Sequence, residues 1–586
     1  MLSRIRALLE LGKTEGYWSL LQRLKLKLKS PRYFQWIHRI EQIEQGSQIA
    51  PVESSWPLIS ILMPVYNVEA RWLIKAVESV LAQRYPRWQL CLADDVSTVD
   101  HIRPLLARYA AQDDRIQVVY LAQNSGISAA TNAALDIAKG EFIALLDHDD
   151  ELAPNALYEI AKCWQQFPDI DFIYTDEDQI TPAGKRQLPF FKPDWSPDYL
   201  HACMYVCHLS VYRVSLVRQL GGFRGEYDGA QDWDLALRVA AQTDRIHHIP
   251  KVLYHWRTLP TSMASGELAK PWAYEAAQRS LQDMLNRSPY PGWVEPGAKT
   301  GYFRVRRHIQ GTPLVSIIIP SAGAVLKKSH PPLCLLQQCL DSIYQLSTYQ
   351  NYEIVVVDGD DIPESVLKAI QGPKLSLVRC DRPFNFAERM NLGVKAAQGS
   401  VLLMLNDDTQ VLTPDWIESM LELAQQSAIA AVGAKLLFPN GHIQHAGVLI
   451  LDGNPTHAFW NGSGRHEGYY CSNLVNRNYL GVTGACLMIR RAVFEELNGF
   501  DEAFALNYND VDLCLRAYQA GYRNVVTPYA QLIHYESVSR GRKADPEALA
   551  MLHARYAGMG YLQNDPYYNP NLSVANPHFQ LAWPGR

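Results

Sequence analysis

Residues 142–150 read FIALLDHDD, an apolar run that ends abruptly in acidic residues. Such a run, preceded by Gly140, is typical of a buried β-strand. The acids follow the carboxyl end of the predicted strand, and open α/β sheets bind their ligands at that end. Asp147 and Asp149 are separated by one residue, so both can contact one cation, and their hard oxygens favour Mg²⁺ or Mn²⁺. The alternative is that the acids only start a helix, because Asp caps helices well and Pro154 follows.

Length and composition limit the classes of protein to consider. The chain has 586 residues, too many for one hydrophobic core, so two or more domains are expected. Its 48% hydrophobic and 20% charged residues are an ordinary globular balance, and a net charge of −5 predicts no nucleic-acid partner. The ten cysteines form no CxxC pair, which favours buried, reduced thiols and a cytoplasmic protein. We find no apolar run long enough to cross a bilayer and no signal peptide.

Residues 1–50 form a basic N-terminal extension in which Lys and Arg alternate with apolar and aromatic residues. This pattern predicts helical segments with a basic and an apolar face, which lie on anionic membrane surfaces. We therefore expect peripheral association with the inner face of the cytoplasmic membrane. The alternative is a solvated helix that packs on the neighbouring domain.

Apolar runs alternate with segments of helical periodicity from Pro57 onward. Strands are predicted at residues 59–63, 89–93 and 118–121, each followed by a helix, and the next strand leads to Asp147. This alternation predicts an α/β fold with a mostly parallel, doubly wound sheet.

The second half of the chain repeats the first. PLVSIIIPSAG at 313–323 restates PLISILMPVYN at 57–67, and VLLMLNDDT at 401–409 restates the acidic strand end. A repeat of such long period indicates duplicated domains. We predict a first domain at 57–285, a linker at 286–312, a second domain at 313–545 and a C-terminal extension at 546–586.

Later landmarks keep their order in both halves. Asn391 corresponds to Asn132, Asp510 to Asp232, and His534 to His255. A helix cap could equally be Ser, Thr or Asn, so repetition of the acids and the late histidine weakens the capping alternative.

These motifs resemble those of family 2 glycosyltransferases of the GT-A fold, in two tandem copies. The carrying motifs are PVYN, ADD, LLDHDD, QDWDLALR and YHWR in the first half, and LNDD, YNDVDLCLR and HYESVSRG in the second. No single motif is specific, whereas the ordered, duplicated set is. FFKPDWSPD and HYESVSRG are most similar to rhamnosyltransferases that build bacterial O-antigen and rhamnan. The resemblance implies two Rossmann-like GT-A domains behind a short helical N-terminal extension.

The resemblance also implies ligands and site residues. Mn²⁺ or Mg²⁺ would act as a Lewis acid on the leaving diphosphate of a UDP- or dTDP-sugar. The implied metal ligands are Asp147, Asp149 and His255 in the first domain and Asn406, Asp408 and His534 in the second. The implied nucleotide-sugar contacts are Pro64, Tyr66, Asp94, Asp95, Asn132, Asp147, Pro320, Asp358, Asn391 and Asp407.

Asp232 and Asp510 are the implied catalytic bases. Each opens a predicted helix, whose macrodipole favours a carboxylate. Inverting transfer needs one base to take the proton of the acceptor hydroxyl. The family usually has Glu-Asp here, whereas this chain has Gln231-Asp232 and Asn509-Asp510. A plain helix cap is the alternative for both.

We therefore predict a bifunctional, metal-dependent, inverting hexosyltransferase. It would add sugars such as rhamnose to a lipid-linked saccharide acceptor. That acceptor would be the precursor of a surface polysaccharide such as O-antigen. One alternative keeps a single catalytic domain and makes the other a module that binds acceptor or partner. A second alternative is a non-catalytic nucleotide-sugar-binding scaffold, which the retention of both bases disfavours.

Overall fold

The computed structural model describes residues 32–46, 51–259, 271–326, 332–372, 374–535 and 545–584. Most of the basic segment expected at the membrane, residues 1–31, lies outside the described residues, as does most of HYESVSRG at 536–541. The helices are α1 (Tyr33–Gly46), α2 (Ala70–Leu81), α3 (Ile102–Gln112), α4 (Ile127–Asp136), α5 (Ala156–Gln166), α6 (Pro197–Leu200), α7 (Val214–Gln219), α8 (Gln231–Ala240), α9 (Pro271–Arg287), α10 (Leu335–Leu346), α11 (Glu364–Ala369), α12 (Phe386–Ala396), α13 (Trp416–Ala424), α14 (Arg491–Glu496), α15 (Asn509–Gln519) and α16 (Pro546–Arg555).

The strands fall into two large sheets and a few short pairs. Those of the first half are β1 (Ile59–Val65), β2 (Trp88–Asp94), β3 (Ile116–Tyr120), β4 (Phe142–Leu145), β5 (Glu151–Leu152), β6 (Phe172–Ile180), β7 (Arg186–Phe190), β8 (Ser210–Arg213), β9 (Ile246–Arg257), β10 (Gly292–Pro296) and β11 (Phe303–Arg307). Those of the second half are β12 (Val315–Ser321), β13 (Val325–Leu326), β14 (Leu333–Cys334), β15 (Tyr352–Asp358), β16 (Leu375–Arg379), β17 (Val401–Leu405), β18 (Thr409–Val411), β19 (Ile429–Leu437), β20 (Ile443–His445), β21 (Val448–Leu451), β22 (Asn454–His457), β23 (Arg477–Tyr479), β24 (Cys486–Arg490) and β25 (Arg523–His534).

The first sheet has the strand order β3-β2-β1-β4-β8-β6-β9-β5, with β7 paired to β6. Strands β1 to β4 are parallel, whereas β8 is antiparallel to both β4 and β6. Strands β1, β2 and β4 are largely apolar because helices cover both faces of this part of the sheet. Ile61 of β1 packs with α2 on one face, and its neighbour Leu62 packs with α4 on the other.

The second sheet repeats this path strand for strand, in the order β16-β15-β12-β17-β24-β19-β25-β18. Here β20 pairs with β19 and β23 with β25. The predicted α/β fold of two duplicated domains is thus confirmed, with the parallel strands next to the acidic strand ends.

The segments outside the two sheets pack on the two domains. The predicted linker contains the β10–β11 hairpin, and Arg306 of that hairpin pairs with Glu422 of the second domain. In the C-terminal extension, Tyr568 and Phe579 belong to the second domain's apolar core, which also receives Phe191 of the first domain. The extension therefore joins the two domains.

Helix α1 packs on the protein. Tyr33 Oη donates to Asp178 Oδ2 at 2.6 Å, and the buried ring of Trp36 lies 5.2 Å from that of Phe191. For the part of the N-terminal extension that is described, this corresponds to the alternative of a packed helix. Among the described residues, every helix is too short or too polar to traverse a lipid bilayer.

Candidate active sites

In the first domain the acidic strand end meets a histidine from a neighbouring loop. Among the described residues, Asp147, Asp150 and His208 each offer one ligand atom, and these atoms lie within 4.8 Å of one another. The acids follow β4, and His208 precedes the adjacent antiparallel strand β8, so both segments reach the same end of the sheet. Two carboxylates and an imidazole are a donor set that suits Mn²⁺ and accommodates Mg²⁺.

The carboxylates of this turn are buried or half-buried, and Asp150 is fixed by hydrogen bonds. Buried Asp150 accepts from Tyr254 Oη and from Arg257 N, both at 2.6 Å. Burial raises the pKa of Asp150 well above its usual value, and the charges of Asp149 and Asp147 add to the shift. Burial likewise raises the pKa of Asp149, with Asp147 adding to the shift and His148 opposing it. Crowded carboxylates of this kind are stabilised by a cation.

His208 is clamped by aromatic residues of β9. Its ring stacks on Tyr254 with 4.4 Å between centroids, and it meets the ring of Trp256 edge-on at 5.9 Å. The same Tyr254 hydroxyl donates to Asp150, so one strand orients two members of the trio. His208 was not predicted, because no period or motif in the sequence connects its loop to the acidic turn.

Asp232 lies beside this trio. It occupies the first turn of α8, where Trp233 N donates to its Oδ1 at 2.9 Å. Burial raises the pKa of Asp232; the nearby His208 opposes the shift, whereas Asp147 adds to it. The predicted base and the acidic strand end are therefore neighbours.

His255 lies away from the trio. On β9 it is paired with Glu151, and its Nδ1 lies 2.6 Å from Asp178 Oδ1. Successive residues of a strand face opposite sides. Trp256 faces His208, so His255 faces away from it and does not join the cluster predicted with Asp147 and Asp149.

The strand registers also correct the correspondence between the two late histidines. Phe142 and Val401 occupy equivalent ladder positions, so Thr409 holds the place of Asp150. His534 pairs with Thr409, whereas His255 pairs with the residue after Asp150. The counterpart of His534 is thus Trp256, and a shift of one residue turns a side chain to the other face.

In the second domain the three predicted metal ligands come together. His534 Nε2 lies 3.1 Å from Asp408 Oδ1 and 3.3 Å from Asn406 Nδ2. Only one of the three is a carboxylate, so this donor set fits a divalent cation but should bind it more weakly than the first domain's set. By the strand register, Ala485 stands where the first domain has His208.

Asp510 occupies the place of Asp232, in the first turn of α15. Its two carboxylate oxygens accept from Val511 N at 2.8 Å and from Gly484 N at 2.7 Å. Asp407, a predicted nucleotide contact, accepts from Ser321 Oγ at 2.5 Å.

The predicted nucleotide contacts of the first domain lie along the ends of β1 and β2. Pro64 lies in β1 and pairs with Ala93, and Tyr66 just beyond it is 45% exposed, open to a stacking partner. Asp94 is buried and accepts from Ser97 N and Arg103 Nε at 3.0 and 3.2 Å.

Asp95 binds the loop that starts α4, at Ser125 N and Gly126 N, at 2.8 and 2.9 Å. The second domain has Pro320 in β12, at the place of Pro64.

Asn132 and Asn391 hold backbone in place. Asn132 donates to Phe223 O and accepts from Phe223 N, both at 2.8 Å. Asn391 makes the same pair of bonds with Phe500, at 2.9 and 3.0 Å. These amides therefore tie a helix to a loop, which gives both residues a structural role; their contact with the nucleotide stays a prediction.

Two buried groups in the second domain keep hydrogen-bonding capacity. Asp358, 1% exposed, accepts from Asp361 N and Ile362 N through Oδ1, and its Oδ2 has no hydrogen-bond partner within the described chain. Arg389 is also 1% exposed, and its Nε and Nη1 lack hydrogen-bond partners in the same part of the chain. A Cβ on Gly359, next to Asp358, would collide with the Arg389 guanidinium. A buried acceptor and buried donors thus share the end of β15.

Comparisons with known proteins agree with this duplicated architecture. The sequence model of Glycosyl transferase family 2 matches residues 60–221 and 316–498, one segment in each domain. The chain therefore belongs to this family and carries two of its domains.

Two curated relatives match most of the chain. Uncharacterized protein y4gI of Sinorhizobium fredii is 41% identical over 90% of this chain and 59% of its own length. O-antigen biosynthesis protein RfbC of Myxococcus xanthus is 38% identical over 88% of this chain and 40% of its own length. The chain thus spans less than two thirds of either relative.

Among solved structures, residues 1–349 of S. aureus TarS in complex with UDP-GlcNAc align over 39% of this chain and 67% of that chain. The identity is 19% and the TM-score 0.33, too low to support a conclusion about either site.

Proposed function

We propose that the protein is a bifunctional, metal-dependent, inverting glycosyltransferase that adds successive sugars to a bacterial surface polysaccharide such as O-antigen. The observation that carries the proposal is the shared placement of Asp232 and Asp510. Each lies in the first turn of a helix, in domains of the same strand order. The charge of Asp147 acts on Asp232, and Asp510 accepts from Gly484 N, next to the residue whose carbonyl accepts from Asn406 N. The O-antigen assignment is supported by the similarity to O-antigen biosynthesis protein RfbC of Myxococcus xanthus.

In the first domain Asp147, Asp150 and His208 would hold Mg²⁺ or Mn²⁺. When bound, the cation would neutralise charge on the departing nucleoside diphosphate. Asp232 would take the proton of the acceptor hydroxyl as that oxygen attacks the anomeric carbon. Its raised pKa suits this role, since a base works best when its pKa lies nearer the working pH.

In the second domain Asn406, Asp408 and His534 would hold the cation and Asp510 would be the base. Asp358 and Arg389 would read the donor's nucleobase. A carboxylate oxygen can accept from the N3–H of uracil or thymine, and guanidinium N–H groups can donate to a ring carbonyl. This supports UDP- or dTDP-sugars as donors, dTDP-rhamnose among them.

The acceptor would be a lipid-linked saccharide at the inner face of the cytoplasmic membrane. The basic residues of the first 31 positions support this placement, because each Lys or Arg near an anionic surface contributes roughly 1 kcal/mol.

The substitutions Asp232→Asn and Asp510→Asn test the proposal. Each keeps the side chain's shape and removes a base, and loss of a general base typically costs about 10²- to 10⁴-fold in rate. With donor and acceptor supplied, mass spectrometry should show that each variant stalls at a different intermediate, and mixing the two should restore the full product.

Two results would contradict this division of work. An unchanged product and rate for Asp510→Asn would leave one catalytic domain. If both variants stall at the same species, the two sites do not act in succession.

A further inference from the structure

The loop that carries His208 is held by a buried ion pair. Lys192 is fully buried, and its Nζ donates to Glu177 Oε2 at 3.0 Å, to Val206 O at 2.7 Å and to His208 O. Glu177 Oε2 also accepts from His208 N at 2.9 Å. Both backbone polar groups of His208 are thus fixed by this pair. Buried ion pairs add little net stability, so a pair whose bonds converge on one loop is better explained by positioning.

The C-terminal extension reaches this ion pair from beyond the second domain. Asn569 is 3% exposed, and its Nδ2 donates to both oxygens of Asp176, at 3.1 and 2.9 Å, and to Lys192 O at 2.9 Å. Asp176 in turn accepts from Lys192 N at 2.8 Å. Nearby, Asp194 N donates to Pro566 O at 2.7 Å. The backbone of Lys192 is therefore held on one side by Asp176 and on the other by Asn569.

We propose that the C-terminal segment 566–569 is a working part of the first domain's site, in which Asn569 is a positioning residue for His208. The inference rests on the proposed function, since it takes Asp147, Asp150 and His208 as the cation's ligands. It follows that residues 57–285 alone would contain those ligands without the support that aligns them. The two domains are then not interchangeable modules.

Binding of Mn²⁺ alone to the full-length protein tests the proposal without an activity assay. An Asp408→Ala background removes the second domain's carboxylate ligand, so that the electron paramagnetic resonance of free Mn²⁺ reports the first site. Outer partners of metal ligands typically contribute 10- to 100-fold to affinity. Asn569 acts through several contacts, so we expect Asn569→Ala to weaken Mn²⁺ binding by about 10-fold, the lower end of that range.

Asn571→Ala is the matched control. Asn571 lies just after that segment, and its Nδ2 donates to Pro250 O at 2.8 Å, a bond to the same domain that involves neither Asp176 nor Lys192. This variant should bind Mn²⁺ like the background. A double-mutant cycle with His208→Ala measures how strongly Asn569 and His208 are coupled in Mn²⁺ affinity. A merely stabilising role of Asn569 would give no such coupling. Once His208 is absent, Asn569→Ala should have no further effect.

The outcomes separate the inference from the proposed function. If the background binds no Mn²⁺, the cation assignment itself fails. If the background binds Mn²⁺ and Asn569→Ala binds it equally well, or if Asn571→Ala weakens it as much, the positioning role of Asn569 is overturned. Should Asn569→Ala not fold, Asn569→Ser retains a donor toward Asp176 and should show a smaller loss in the same cycle.

Discussion

Replacing Asn132 by alanine separates a structural role from nucleotide binding. The variant loses the two hydrogen bonds to the backbone of Phe223, a residue that is 4% exposed. Each bond contributes about 1 kcal/mol, and the buried N–H and C=O of Phe223 would lose their partners, which adds a desolvation cost. We therefore expect the free energy of unfolding to fall by about 2–3 kcal/mol. In a domain of roughly 150–250 residues, 1 kcal/mol shifts the Tm by about 2–4 °C, so the Tm should fall by about 4–12 °C.

Calorimetry would measure the loss, and hydrogen exchange would locate it. Asn132→Ala should increase exchange around Phe223, and Asn391→Ala should do so around Phe500. Tyr66→Ala is the opposite control, since this exposed ring should affect UDP affinity and leave the Tm unchanged. If Asn132→Ala melts like the wild type but binds UDP more weakly than Tyr66→Ala does, the structural assignment is refuted.

Two further predictions concern Arg389 and His248. Arg389→Met should weaken UDP or dTDP binding to the second domain by about 10-fold or more, because a hydrogen bond to a charged group contributes about 1.5–3 kcal/mol. Isothermal titration calorimetry in an Asp147→Ala background would measure this loss of affinity. Unchanged affinity would exclude Arg389 from the nucleotide site. Burial opposes the charge of His248, but Asp176 and Asp194 raise its pKa to about 9, above the usual 6.5. Its stabilising effect is thus complete below about pH 6.5 and lost as the pH rises through 9, about 3 kcal/mol in all. The Tm should fall between pH 7 and 9.5, and a His248→Gln variant with the same fall would contradict this.

The sequence predicted the architecture well because its signals are local. Apolar runs such as 143–146 mark strands that are buried on both faces. The repeat of residues 57–67 at 313–323 predicts the duplication, and the strand order of the two sheets confirms it.

The site was predicted less completely because its geometry depends on pairing between distant segments. Strand β6 shifts register against β9 near Asp176, and β19 shifts against β25 near Lys435. Such irregularities decide which of two adjacent residues faces the site, and the sequence does not show them. His255 and His534 therefore look equivalent along the chain but are paired one position apart.

Polar residues recur in both domains for two different reasons, structural and functional, and the sequence alone does not distinguish them. Asn132 and Asn391 recur because both halves need the same backbone clamp, whereas Asp232 and Asp510 recur at the ends of helices that face the acidic turns.

The two domains differ where the scaffold permits it. In the first, the imidazole comes from the loop before β8, and Trp256 of β9 packs against it. In the second, that loop position is Ala485, and the imidazole of His534 comes from the strand equivalent to β9. Both solutions bring a histidine to the same acidic turn, from opposite neighbours in the sheet. Because the loop solution needs an external support for its backbone, the first domain engages Lys192 and the C-terminal segment, whereas His534 is already fixed by its own β-ladder.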